Sequence, residues 1–570
     1  MAQTVTAAAM DAALFGLLQR YCGALIAAQA QNGGLLCPAC GRAHGRSHEA
    51  VYPLMYMAQR TGEQKYLAAA KKLFAWSAPL LQPDGGMLND FSASWKGVTV
   101  FAAVSLHDAL YYHGALLSPA ERAAWEARLA AMGEWIRANL YPGAKAYINY
   151  YAAAACALAL LGNYFQNEAY TRAAVSLAEH CLMSESGGLV YGEASPQNAV
   201  TPKGCRGVDI GYNADETLPC LCRCAEALGD EAMLARAAAL YKAQLAFMLP
   251  DGAWDDSFGT RSFKWTYWGS RTADGCQDAL FALGRKNAVF AEAAYRNLRL
   301  LEKCTVGGLL AGGPGYARIG EKICLHHTFC RAKALAGALD AGVYAFCRAP
   351  LPADAPPPLA FYPQTDTYRL ANGGFHADIT GYDARYKTGG HVSGGALSLL
   401  WHETAGPLTA AGMARYSLFE PHNQQLPLRP EAHADPCVRV ETPDGRYSQI
   451  FDFTAVLRGT AAPEGPGVRV KAALCDETGA RPPENCAVEL LYSLETAGMR
   501  ITLRVPPAQA ENVRLVLPVT KAGRIDVMRG ALARVTENRY CLTPGLCFTE
   551  YVITPDAAGR AEILLGVKGG

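Results

Sequence analysis

Residues 248–274 concentrate the side chains best suited to chemistry: three Trp, one Tyr, two Phe, two Arg, one Lys and four Asp. Aromatic faces beside charged groups are what a sugar or uronate site needs. Rings stack on the apolar faces of pyranoses, and charges orient hydroxyls and carboxylates. Trp254, Trp265 and Trp268 are the expected stacking platforms, with Arg261, Lys264 and Asp255 as polar contacts. The clustering favours this over a loop whose Trp residues plug the core. Three Gly and Pro250 exclude one long helix through the stretch. It reads as a long loop entering a helix near Gly269, with Cys276, Leu280 and Leu283 at helical spacing.

A chain of 570 residues predicts two or more domains. Its net charge of +1 and scattered basic residues predict neither a nucleic-acid nor a membrane partner. No run of about twenty apolar residues predicts a membrane span. Met1–Ala9 lacks a positive n-region and a long apolar stretch, so a cytoplasmic location is expected unless a leader was removed. Nineteen scattered Cys fit a reducing compartment, most of them, such as Cys220, Cys222 and Cys224, as small buried groups. The sequence leaves oligomeric state open.

Residues 7–343 read as paired helices. Ser118-Pro-Ala-Glu121 is a helix start, with a Ser cap, Pro in the first turn and an acid at the third position. Gly-containing turns recur at Gly33-Gly34, Gly85-Gly86, Gly143, Gly187-Gly188, Gly252 and Gly307-Gly308, about 45–64 residues apart. Each interval holds two helices. Six such hairpins predict a closed (α/α)6 toroid over 1–343, with an open superhelix as the alternative. The run Tyr151-Ala-Ala-Ala-Ala-Cys156 suits an inner helix that approaches its neighbours closely. Residues 344–362 are a Pro-rich linker. Residues 363–570 then read as an antiparallel β-sandwich. Its strands are expected at 438–442, 447–457, 468–474, 487–493, 500–505 and 513–518.

A toroid followed by an antiparallel sheet domain resembles the polysaccharide lyases of the heparinase II/III and alginate-lyase type. Asn149-Tyr150-Tyr151, Tyr267-Trp-Gly-Ser-Arg271 and Gly389-Gly-His391 carry the likeness locally. The resemblance implies β-elimination at a uronic acid, in a cleft between toroid and sandwich. The implied partner is a uronic-acid-containing oligo- or polysaccharide.

That reaction needs a group to neutralise the carboxylate, a base for the C5 proton and an acid for the leaving oxygen. Asn149 and Asn213 stand where turns enter inner helices, although Asn213 also fits a helix cap. Arg271 suits bidentate carboxylate binding, or else a salt bridge. Tyr267, close in sequence to Arg261, Lys264 and Arg271, is the expected base and acid, against an alternative role in packing. Tyr150, His327 (one of the adjacent pair His326-His327) and His391 complete the catalytic candidates.

Cys37-Pro-Ala-Cys40 is followed by His44 and His48, a tight set of four zinc ligands. The alternative is that His44, Arg46 and His48 contact substrate from the first loop. The chemistry itself requires no cofactor, so any zinc is expected to be structural. Two further readings remain. An inverting hydrolase would use paired carboxylates drawn from Glu193, Glu216, Asp255 and Asp256. A non-catalytic glycan-binding protein would use the aromatic cleft alone.

Overall fold

The computed structural model describes residues 3–91, 94–193, 199–414, 426–462 and 464–569. Its helices are α1 (Ala7–Ala27), α2 (Val51–Thr61), α3 (Gln64–Trp76), α4 (Thr99–His113), α5 (Pro119–Asn139), α6 (Ile148–Phe165) and α7 (Glu168–Met183). There follow α8 (Ile210–Tyr212), α9 (Leu218–Leu228), α10 (Glu231–Gln244), α11 (Gln277–Gly284), α12 (Ala288–Lys303) and α13 (Leu325–Asp340).

Helices α2, α4, α6, α9, α11 and α13 touch in that order, and α13 returns to α2. This is a closed inner ring. Helices α3, α5, α7, α10, α12 and α1 pack outside it, each chiefly against one inner helix. The closed toroid therefore replaces the open superhelix. Small residues make the ring possible: Ala152 to Ala155, Cys156, Ala157 and Ala159 of α6 are fully buried. Ser118 and Glu121 form the expected capping box at the start of α5.

The Gly turns lie where an outer helix hands over to the next inner one. Bridges Gln29–Leu35, Leu81–Met87 and Met248–Trp254 and the paired strands Glu185–Ser186/Leu189–Val190 and Thr305–Val306/Leu309–Leu310 are all such crossings. Gly33 shows why glycine is needed there. Its φ is +95°, and a Cβ would stand 2.5 Å from the Lys72 carbonyl oxygen of the next outer helix. Because the crossings are alike, every inner helix starts on the same face of the ring.

The chain leaves the toroid at Asp340, and Phe346–Cys347 pairs back onto Thr4–Val5. The expected linker is partly structured, because Leu359–Tyr362 is already a strand. It edges a five-stranded antiparallel sheet with Thr367–Asn372, Phe375–Thr380, Ala396–His402 and Gly406–Ala410. A six-stranded sheet runs in the order Val456–Ala462, Gly465–Ala473, Ala487–Glu495, Gly498–Arg504, Arg560–Val567, Gly523–Arg529. A four-stranded sheet holds Arg439–Glu441, Arg514–Thr520, Leu546–Thr554 and Ala531–Cys541. One apolar core joins the three, including Ile379, Leu400, Val470, Leu490, Ile501 and Leu517. The strand expected over 447–457 is instead a 3-10 turn at Gln449–Phe451, with a strand only from Val456.

Toroid and sheets share a second core, in which Leu399, Trp401, Ala410 and Leu546 pack with the helices. Among the described residues no helix is long and apolar enough to cross a membrane.

Candidate active site

The most chemically suggestive cluster lies at the ring face that meets the sheets, and it is built around Arg261. The Arg261 guanidinium sits 4.6 Å from the Tyr212 ring centroid, 4.7 Å from Tyr147 and 5.4 Å from Tyr386. Its Nη2 pairs with Glu193 at 3.2 Å. Tyr386 comes from the sheet region, and its hydroxyl lies 3.5 Å from that of Tyr147. The two parts of the molecule therefore close on one another here.

Local structure fixes Tyr212. Its backbone N–H donates to Asp209 Oδ1 at 2.7 Å, which caps the short helix α8. Gly211 packs against Asp256 and Ser270, where a Cβ would lie 2.9 Å from each side chain. The chain then runs through a π turn, Asn213–Thr217, before α9. Such turns are rare and cluster at functional sites. Lys264 ends a 3-10 turn, Ser262–Lys264, and its Nζ lies 3.1 Å from the Tyr212 hydroxyl. Thr272 Oγ1 also hydrogen-bonds that hydroxyl and lies 3.3 Å from Lys264 Nζ.

Asn149 begins α6. Its backbone N–H donates to Glu193 Oε1 at 3.0 Å, while its side-chain oxygen is buried without a hydrogen-bond partner. Burial pushes the Glu193 carboxyl up to about 7, opposed by Arg261. Burial also raises the Tyr150 phenol. The Tyr150 ring packs edge-on to Trp95 at 5.5 Å, and Trp95 is 48% exposed. Arg261, Lys264 and Tyr212 are nearly buried, at 4–6% exposure. The arrangement offers a phenol beside an ammonium, an unsatisfied amide and an arginine, under an exposed indole.

The description "Ulvan lyase N-terminal domain" matches residues 18–348, and "Ulvan lyase C-terminal domain" matches 359–536. The chain belongs to the ulvan lyase family. This membership makes it a polysaccharide lyase and decides against the hydrolase and glycan-binding readings. A broad-specificity ulvan lyase of Formosa agariphila is 34% identical over 522 residues, covering 88% of this chain and 82% of that protein. Among solved structures, a heparan sulfate lyase mutant from Pedobacter heparinus superposes with a TM-score of 0.46 at 10% identity, over 92% of this chain and 76% of its own. A D-mannose isomerase matches with 0.42 at 13%, over 57% and 97%.

Several expected residues of the lyase stand elsewhere. Tyr267 is fully buried: its hydroxyl donates to Asp251 at 2.7 Å and accepts from Trp401 Nε1 at 2.8 Å. Burial and Asp251 raise its pKa well above the usual phenol value, so it is an unsuitable base. Trp254, Trp265 and Trp268 are likewise fully buried and present no face to a sugar. Trp265 donates to the Trp254 carbonyl, and Trp268 donates to that of Ala311. The exposed indole is Trp95, which sequence reasoning passed over as a single aromatic in a loop.

Asp255 faces Arg369 of the first sheet at 3.5 Å, and Glu216 accepts from the Asp274 backbone N–H at 3.0 Å. Both are fully buried, as is Asp256. Arg46 is consumed by Glu49 at 2.5 Å, Asp274 at 2.8 Å and the Thr272 carbonyl at 2.6 Å. It is therefore structural. Asn213 donates its amide to the Val190 carbonyl at 2.9 Å, holding the π turn. His327 lies 3.1 Å from the Leu310 carbonyl, and burial lowers its pKa to about 3. His391 lies 3.2 Å from the Tyr382 carbonyl and falls to about 4 for the same reason. Arg271 Nη2 meets the Cys324 thiol at 3.7 Å. His48 Nδ1 lies 2.9 Å from the Ser77 hydroxyl, and its ring tilts against Phe74 at 6.2 Å.

Sequence reasoning missed Tyr212, Tyr147 and Tyr386. The first two flank the residues it did choose, Asn213 and Asn149, by one and two positions.

Proposed function

We propose that this lyase cleaves a uronic-acid polysaccharide of the ulvan type by β-elimination, with Tyr212 as the proton-transfer group. The observation that carries the reading is the Tyr212 hydroxyl held 3.1 Å from the Lys264 ammonium, with the Arg261 guanidinium over the Tyr212 ring.

The Asn149 side-chain NH2 donates to the uronate carboxylate and Arg261 pairs with it, drawing charge from C5 and acidifying its proton. Both belong to the face where the inner helices begin, whose positive dipole ends favour an anion. Tyr212, as phenolate stabilised by Lys264, takes the C5 proton. The electron pair forms the C4–C5 double bond as the C4–O bond breaks. The proton then passes from Tyr212 to the leaving oxygen, restoring the phenolate. Trp95 and Tyr150 supply aromatic surface on which a neighbouring sugar stacks. The Formosa agariphila relative, named as a ulvan lyase, supports the substrate class.

The test is incubation with ulvan, heparan sulfate and alginate, following ultraviolet absorbance of the unsaturated product. Absorbance rising with ulvan, and abolished in Tyr212→Phe, is expected. No absorbance from any of the three, or full activity in Tyr212→Phe, overturns the proposal.

A further inference from the structure

A second cluster of reactive side chains lies outside the elimination chemistry, at the seam where the toroid closes. Cys37 and Cys40 sit on the loop after α1. The turn between them is tight: the Gly41 N–H donates to the Cys37 carbonyl at 2.8 Å, and the Cys37 N–H donates to that of Arg42 at 2.9 Å. Gly41 has φ +67°, a left-handed conformation that suits glycine. From the far end of the toroid, Cys324 stands just before α13. It brings its sulfur to 3.9 Å from Cys37 Sγ, across 287 residues of chain. His44 completes the set, with Nε2 3.0 Å from Cys40 Sγ.

We propose that Cys37, Cys40, Cys324 and His44 bind one zinc ion, a structural site that pins the first loop of the toroid to its last inner helix.

The chemistry of the donors fits. Tetrahedral zinc with Zn–S bonds of about 2.3 Å requires sulfur–sulfur edges of about 3.8 Å. The Cys37–Cys324 separation matches that edge. The other His44 nitrogen, Nδ1, faces Asp90 Oδ2 at 3.2 Å. A carboxylate in that position fixes the ring so that Nε2 is presented to a metal. Arg271, 3.7 Å from Cys324, offsets the single negative charge that three thiolates and a neutral imidazole leave on a zinc centre. Cys37, Cys324 and His44 are 2%, 4% and 7% exposed, while Cys40 is half-buried at the edge of the set. Four protein ligands leave no open position, which is the mark of a structural rather than a Lewis-acid site.

Zinc draws Cys40 and His44 onto the Cys37–Cys324 pair. Each thiol surrenders its proton to solvent, three protons per ion bound. Cys324 thus takes the place that His48 was expected to fill. A neighbouring group, Glu49, Asp274 and Cys330, has ligand atoms all within 4.8 Å of one another, whereas the proposed ligands come together as two pairs that the ion must draw closer. The neighbouring group's carboxylates are already neutralised by Arg46 and Lys333.

The test uses the full chain purified under reducing conditions without chelator. Elemental analysis should find about one zinc per chain, falling at least tenfold in Cys324→Ser and Cys37→Ser but unchanged in His48→Gln. Cobalt substitution should give intense tetrahedral d–d bands and thiolate charge-transfer absorption. If the Cys variants fail to fold, the wild type decides. A thiol reagent should release one zinc to a chromogenic chelator as three thiols react. Thiols reacting without zinc release, a wild type that stays metal-free after reconstitution, full zinc in Cys324→Ser, or a Cys37–Cys324 disulfide in peptide maps of the purified protein would each overturn the site.

Discussion

The hydroxyl of Tyr212 and the ammonium of Lys264 are held 3.1 Å apart, one on the helix entering the π turn and the other on the 3-10 turn that follows Arg261. Neither can drift: Asp209 caps the first element, and the Lys264 N–H donates to the Arg261 carbonyl at 2.7 Å. A phenol so placed can lose and regain a proton without carrying an uncompensated charge.

Tyr212→Phe should therefore lower kcat about 10²–10⁴-fold, the usual worth of a positioned proton-transfer group, with little change in KM. Lys264→Met should lower kcat and shift the acidic, ascending limb of the kcat–pH profile to higher pH, because the phenolate loses its counter-charge. Product absorbance across pH reads both. A Tyr212→Phe enzyme with wild-type kcat would count against the assignment.

Tyr267→Phe should behave in the opposite way. Its hydroxyl joins Asp251 of the toroid to Trp401 of the first sheet, and Phe leaves the buried Trp401 Nε1–H without its partner and takes one hydrogen bond from Asp251. Such a loss costs about 1–3 kcal/mol of stability. The melting temperature should fall by several degrees while kcat stays within about threefold of wild type. Calorimetry and the absorbance assay separate the two outcomes, and a large kcat loss at unchanged stability would return Tyr267 to the chemistry.

The toroid was legible because its crossings repeat. Each outer helix hands over through the same kind of tight turn, so glycines such as Gly33, Gly85 and Gly252 mark the period. The Ala run of α6 likewise announced an inner helix. Burial was not legible: Trp254, Trp265 and Trp268 have a composition that suits a sugar platform, yet each is at 0% exposure. Tyr212 escaped because the π turn at Asn213–Thr217 breaks the 3.6-residue period just where the side chain matters. Tyr386 escaped because its partners Tyr147 and Arg261 are distant in sequence. The strand Leu359–Tyr362 escaped because three prolines precede it.

Arg261 touches three tyrosines and one carboxylate, so its removal should be felt in binding as well as rate. Arg261→Lys keeps a charge but loses the planar fork that spans Glu193 and a uronate. We expect KM to rise about tenfold and kcat to fall by a similar factor, since the developing enolate feels the charge more than the ground state. Initial rates over a range of polysaccharide concentration check this. A change in kcat alone would place Arg261 away from the carboxylate.

Glu193 provides a test in pH that needs no substrate. Its folded carboxyl titrates near 7, against an ordinary 4.5, chiefly because burial disfavours the charge. The folded state thus holds this proton more tightly than the unfolded chain. The stability it contributes is fully present below about pH 4.5 and is lost as pH rises through about 7. The loss amounts at most to about 3 kcal/mol for a shift of this size. Glu193→Gln keeps an oxygen for the Asn149 N–H and removes the titration. Melting temperatures of wild type and Glu193→Gln, taken from pH 4.5 to 8, should move relative to one another by several degrees. Wild type should lose ground as pH rises. Arg261 limits the fall, since the ionised carboxylate regains its ion pair at 3.2 Å. A difference that stays constant across the window, or slopes the other way, would mean that Glu193 is already ionised at low pH and that Arg261, rather than burial, governs it.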